Sequence, residues 1–144
     1  MIKATTLVLG CLTLAGCGSD VSAAPPETKA DQLVIQINGL RGHEGNVVVA
    51  VYDNKQAFDQ HLEPLAWVSV PAKSQTITLA EFPNQKVAIA AFHDTNRNGE
   101  YDVQGDFPLE GWGNSGDISI WTEPTFEAAL TDARFVAVQM HYYQ

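Results

Sequence analysis

The sequence predicts an all-β fold: a single antiparallel β-sandwich of the immunoglobulin-like or transthyretin-like kind, with a small β-barrel as the alternative. Three observations carry that prediction. Six segments between Leu33 and Tyr142 either alternate apolar and polar residues or form short unbroken apolar runs. Gly, Pro, Asn or Asp separates these segments. No segment after the N-terminal region keeps a helical period for more than a turn or two. The 144 residues suit one domain, and a hydrophobic content of 45% is enough to build a core.

The first 31 residues stand apart from that pattern. Lys3 precedes an uncharged apolar run, Ala4 to Ala15. The run is shorter than the ~20 residues of a spanning helix and fits the apolar region of a signal peptide. Leu14-Ala15-Gly16-Cys17 then resembles the bacterial lipobox, in which the chain is cut before a cysteine that becomes diacylated. Residues 1–16 are therefore expected to be a signal peptide and Cys17 a lipidation site that anchors the protein to a membrane. The alternative is an ordinary signal peptide cut after Ala23 or Ala24, giving a secreted or soluble periplasmic protein. Cys11 lies in the signal and Cys17 carries the lipid, so the folded domain has no cysteine and no disulfide. Gly18 and Ser19, with no Asp after Cys17, resemble the Gram-negative signal for the outer membrane, facing the periplasm. Residues 17–31 are rich in Ala, Ser, Pro and Glu and read as a flexible tether; Gly18 to Asp31 spans roughly 20 Å as a coil.

The domain follows over 32–144. Leu33, Ile35 and Ile37 alternate with Val34, Gln36 and Asn38, a half-buried strand. Gly39 to Asn46 holds three glycines and reads as a turn. Val47 to Tyr52 is continuously apolar, as a central strand is. Asp53 to Glu63 is polar around Phe58, a helical turn or a loop. Leu65 to Val70 is a strand ended by Pro71, and Gln75 to Leu79 alternates around Ile77 and Leu79. Val87 to Phe92 is the most apolar run of the domain and is expected at the sheet centre. Glu123 to Ala133 fits a short helix, with Phe126, Ala129 and Leu130 on one face. Phe135 to Tyr142 closes the chain, with Val136, Val138, Met140 and Tyr142 on one face.

Chemistry concentrates after the fifth strand. Asp94, Asn96, Asn98 and Asp102 place side-chain oxygens at alternate positions, with Gly99 at the turn. This matches the first part of the calcium-loop pattern D-x-[DN]-x-[DN]-G. Alternate residues of a tightly wound loop point inward, so their oxygens can converge on a hard cation. Glu100 would add its carbonyl. The usual bidentate acid falls at Gly105, so Asp106, one residue late, is the nearest candidate to close a calcium site. Asn98-Gly99 is also, by itself, a signal for a hairpin of type I′ or an Asx-turn.

The net charge of −9 excludes nucleic acid and anionic lipid headgroups as partners. The long connection from Thr95 to Thr125 is functional in appearance, because binding residues sit on loops held by a rigid scaffold. His93, Glu110, Trp112 and Ser115 are its candidate ligand-binding residues. His93 ends an apolar strand and reads as packed. Gly113-Asn114-Ser115-Gly116 lacks the last glycine of G-x-S-x-G, so Ser115 is not a nucleophile. Four histidines without H-x-x-x-H spacing exclude a zinc site of that type. Trp112 and Trp121 offer stacking surfaces or plug the core under the loop.

Ala88 to Asp94, Asn96-x-Asn98-Gly99-x-x-Asp102, Pro108-x-Glu110-Gly111-x-Gly113-x-Ser115 and Phe126-Glu127-x-Ala129, with Val49 to Asp53 before them, together resemble the bacterial family called domain of unknown function 2141. The resemblance extends over about Leu33 to Tyr142. It implies an exported β-sandwich and brings no catalytic residue. Trp112 stands where that pattern often has Tyr. The resulting expectation is a cell-envelope lipoprotein that binds a protein, glycan or small ligand without catalysis. A small periplasmic hydrolase using the loop carboxylates is the alternative.

Overall fold

The computed structural model describes residues 29–116 and 122–143. The expected signal peptide, Cys17 and most of the tether lie outside the described residues, as do Asp117 and Trp121. The described chain is a β-sandwich, and none of its sheets closes into a barrel.

The smaller sheet has β1 (Leu33–Asn38) at its centre, flanked by β4 (Thr76–Leu79) and β10 (Phe135–Gln139). The larger runs β3 (Ala66–Pro71), β2 (Asn46–Tyr52), β5 (Val87–Asp94), β8 (Gly111–Asn114), and a short β9 (Leu130–Thr131) joins the start of β5. A separate hairpin, β6 (Val103–Gln104) with β7 (Phe107–Pro108), projects between β5 and β8. All these pairings are antiparallel except β1 with β10, which is parallel. Antiparallel neighbours can be joined by a hairpin, whereas β10 reaches β1 only after the chain has crossed both sheets.

The predicted apolar faces form the core. Ile35 stands opposite Ile77 on β4 and Val136 on β10. Val47, Val49 and Val51 of β2 face Ile89 and Ala91 of β5 and meet Leu33, Ile35, Ile37 and Val138 from the other sheet. Each fully buried aliphatic side chain contributes about 1.5–3 kcal/mol against leaving it in water. Val136, Val138 and Met140 are buried as their shared face predicts. Pro71 ends β3, an edge strand, where its missing N–H costs no ladder bond. β5 is central, as its unbroken apolar run required.

One segment takes the helical turn expected of it, and another differs in detail from its sequence reading. Asp53 to Glu63 contains a short helix, α1 (Lys55–Asp59), whose N-cap Asn54 accepts from the Ala57 N–H at 2.9 Å. Of Glu123 to Ala133 only α2 (Phe126–Ala129) is helical, because Leu130 turns extended to pair with Ala88. These helices cover the lower half of the outer face of the larger sheet, burying Tyr52, Phe58, Ala88 and Ala129 as a second cluster. Lys55 bonds Asp59 at 2.8 Å and Glu127 at 3.2 Å, linking α1 to α2.

One side of the sandwich is stitched. Trp112 and His141 exchange both backbone hydrogen bonds, at 2.9 and 2.7 Å, so β8 reaches the chain that follows β10. Two glycines make this approach possible. A Cβ on Gly111 would run into the Tyr142 ring, and one on Gly113 into the Gln139 carbonyl.

Candidate functional site

Strand β5 sorts the site residues by face. Ile89, Ala91 and His93 point into the sandwich, and Phe92 and Asp94 to the outer side. Asp94 is nonetheless only 1% exposed, because the following loop winds over it. Its Oδ1 accepts the Asn98 N–H and its Oδ2 the Gly99 N–H, both at 3.0 Å. Asn96 Oδ1 accepts from Asn98 N–H at 2.9 Å, and Asn98 Oδ1 from Glu100 N–H at 2.8 Å. Arg97 and Gly99 take positive φ, 63° and 79°. A type I′ turn at Asn98-Gly99 needs positive φ at both residues, and Asn98 does not have it. The hairpin form of that reading is therefore corrected, while its Asx-turn form holds: Asn98 Oδ1 accepts the N–H two residues on, and hydrogen bonds to the buried Asp94 carboxylate, not strand pairing, complete the turn.

Asp102 gathers the loop from the other side. Its carboxylate accepts from Asn96 Nδ2 at 2.6 Å and from Asn98 Nδ2 at 3.0 and 3.1 Å. The Glu100 side chain is exposed. Asp106 is exposed at the tip of the β6–β7 hairpin, whose two-residue turn is Gly105-Asp106, with Gly105 at φ 63°. The hairpin thus carries Asp106 outward and returns the chain to the loop, where the Leu109 N–H bonds the Asp102 carbonyl at 2.9 Å.

Glu110 closes the loop. It is 4% exposed. Its Oε1 accepts the Thr95 N–H at 3.0 Å and its Oε2 the Asp102 N–H at 3.3 Å. The β5–β8 register pairs His93 with Gly111, so Asp94 and Glu110 occupy the next facing positions, just past the end of the ladder. Like charges at facing positions repel. Among the described residues neither carboxylate has a cationic side chain as an ion-pair partner. Sequence reading named Glu110 but not this role. The available cue was the Gly105-Asp106 turn, which signals that residues 103–108 fold out as a hairpin and bring Glu110 back.

Tyr101, between the two acids' anchor points, lies over Phe92 at 5.7 Å between ring centroids. Burial, and secondly the charge of Glu110, push its hydroxyl up to about 12.

The other candidates have structural partners. His93 is buried, with Nε2 donating to the Glu44 carbonyl at 2.7 Å and Nδ1 accepting from the Tyr142 hydroxyl at 2.7 Å. The carbonyl can only accept, which assigns the tautomer. Ser115 is fully buried; its Oγ accepts the Ile89 N–H at 2.8 Å and donates to the Ala129 carbonyl at 2.5 Å, pinning α2 to β5. Trp112 is half-buried on the outer face, tilted against His141 at 5.5 Å. Among the described residues, no three His, Cys, Asp or Glu side chains converge as a metal-ion group. The side-chain acceptors gathered at the loop are the Asp94, Asp102 and Glu110 carboxylates and the Asn96 and Asn98 amide oxygens.

Fold and loop define a class: an all-β sandwich with an oxygen-rich loop wound between two adjacent strands of one sheet and closed by two buried carboxylates. The chain belongs to the family DUF2141, uncharacterized protein conserved in bacteria, which matches residues 35–137. No curated protein and no solved structure matches the chain.

Proposed function

We propose that this protein is a lipid-anchored, non-catalytic module of the bacterial cell envelope whose loop from Asp94 to Asp102, closed by Glu110, binds calcium. One observation carries the calcium reading: Asp94 and Glu110 are buried, follow directly on the last β5–β8 pair, His93 with Gly111, and have no cationic partner among the described residues. Buried charge is costly unless paired or coordinated to a metal. Asp94, Asn96, Asn98 and Asp102 would supply side-chain oxygens and Glu100 its carbonyl. Glu110 would take the closing position that Asp106, out on the hairpin, does not occupy. The ion would supply charge compensation and loop order. The non-catalytic reading is supported by the same two carboxylates, which together hold four backbone N–H groups and are turned away from solvent. The anchor rests on the Leu14 to Cys17 lipobox resemblance.

The test is thermal melting with chelator and then with millimolar calcium. Affinity on the order of 10⁻⁴–10⁻³ M is expected, as in extracellular calcium modules. Calcium at a hundred times its dissociation constant would add about 2.7 kcal/mol. Asp94→Ala should abolish that gain. Magnesium should substitute poorly, since it demands near-octahedral geometry and sheds water reluctantly. An unchanged melting temperature together with no heat of binding would overturn the calcium reading.

A further inference from the structure

We propose that the upper half of the outer face of the larger sheet is a docking surface for a basic segment of a partner protein. The lower half of this face is sealed by α1 and α2. Among the described residues, aromatic rings cover the upper half. Trp67 on β3 lies 6.0 Å from Phe92 on β5, and Phe92 lies 5.7 Å from Tyr101. Trp112 stands opposite Phe92 in register and continues the row to His141. Two residues on, Tyr143 meets Phe107 of the hairpin at 4.9 Å.

These rings have already buried what lies beneath them, since Val48, the outward residue of β2 opposite Phe92, is 1% exposed. Their own outer sides stay in water. Trp67 is 53% and Tyr143 58% exposed, and Phe107, Leu109 and Val103 are likewise more than half exposed. Scattered exposed hydrophobics need no explanation, but the row of contacting rings from Trp67 through Phe92 to Tyr101, continued by Trp112, marks an interaction surface.

Charge selects the occupant. Glu100 and Asp102 flank Tyr101, Asp106 sits at the hairpin tip beside Phe107, and Arg97 is the one basic residue in that stretch. Polyanions are repelled. A neutral glycan could use the rings but would gain little from the acids. Lys and Arg side chains gain from both, by stacking over Trp and Tyr faces and by pairing at an acidic rim. Exposed Trp and Tyr are also the residues that dominate protein interfaces. The position suits capture in solution. The chain enters the domain at the Leu33 end of β1, whereas Asn38, at its other end, bonds Met140 near the Tyr142–His93 contact and the loop. The surface therefore lies at the opposite end of the sandwich from the tether.

The experiment uses the full chain in detergent with chelator present, so that it does not depend on the calcium reading. The probe is a fluorescently labelled 16-residue peptide alternating Lys and Leu, followed by anisotropy. Saturable binding is expected, and replacing every Lys of the peptide by Gln should weaken it roughly tenfold or more. Trp67→Ala with Phe107→Ser, which leaves the protein's charge unchanged, should also weaken it roughly tenfold. Tyr143→Ser with Leu109→Ser, both exposed, gives a second charge-neutral variant should the first not fold; circular dichroism checks each. Equal binding by a folded charge-neutral variant would show mere charge attraction and overturn the proposal. So would no binding of the Lys-Leu peptide, or binding of chitohexaose in its place.

Discussion

The Tyr142 hydroxyl stands 2.7 Å from His93 Nδ1, and that contact joins three distant parts of the chain. Tyr142 belongs to the C-terminal segment and His93 to the end of β5. The same hydroxyl accepts the Arg41 N–H at 3.0 Å, and the Arg41 guanidinium lies 4.8 Å from the ring centroid. Burial pushes the Tyr142 hydroxyl above its ordinary range, with Arg41 opposing the shift. His93 in turn holds the Glu44 carbonyl, so the 39–46 turn is fastened beside the acidic loop.

Tyr142→Phe keeps the ring and removes the hydroxyl. It leaves the buried Nδ1 of His93 and the Arg41 N–H without their partner. The expected cost is about 1–3 kcal/mol, read as a lower midpoint in urea unfolding with unchanged slope. A midpoint equal to the wild type would refute the assigned network.

Gly111→Ala drives a methyl into the Tyr142 ring. Overpacking of this kind costs about 1–3 kcal/mol. Because the obstacle is a side chain, the cost should shrink when Tyr142→Ala is present as well, a coupling that a double-mutant cycle measures. Gly113→Ala should show no such relief, since its obstacle is the backbone carbonyl of Gln139.

Tyr101 makes the fold sensitive to alkali. Its hydroxyl titrates near 10 in the unfolded chain and is pushed up to about 12 in the fold. Between those values the folded state keeps the proton and the unfolded state has lost it. The contribution is therefore complete below pH 10 and lost as pH rises to about 12. Tyr101 remains 41% exposed, so solvent screening keeps the effect well below the full shift. Tyr101→Phe should flatten the fall in melting temperature between pH 9 and pH 11; an unaltered slope would count against the burial argument.

Cys17→Ser should abolish acylation and move the protein out of the membrane fraction. A variant that still pellets with membranes in the absence of detergent would remove the anchor from the proposed function.

Much of the architecture was legible because period-two patterning reports burial directly. Ile35, Ile37, Val136 and Val138 declared their face by spacing alone, and the most apolar run became a central strand. Asp94 and the positive φ of Gly99 were legible too, because side-chain oxygens at alternate positions and a glycine at the turn are local chemistry. The parallel pairing of β10 with β1, the break of 123–133 into a one-turn helix and a strand, and the place of Glu110 were not. Each depends on partners far along the chain.

The sequence by itself determined the all-β class, the buried face of the alternating strands and the oxygen-rich composition of the loop, since these follow from residue type and spacing over a few positions. Only the tertiary structure decided that Glu110 ties Thr95 to Asp102 while Asp106 stands exposed on the hairpin. That outcome follows from hairpin folding of residues 103–108 and from the β5–β8 register, which together bring Glu110 opposite Asp94. Register is a property of two strands at once, and no local pattern within either of them states it.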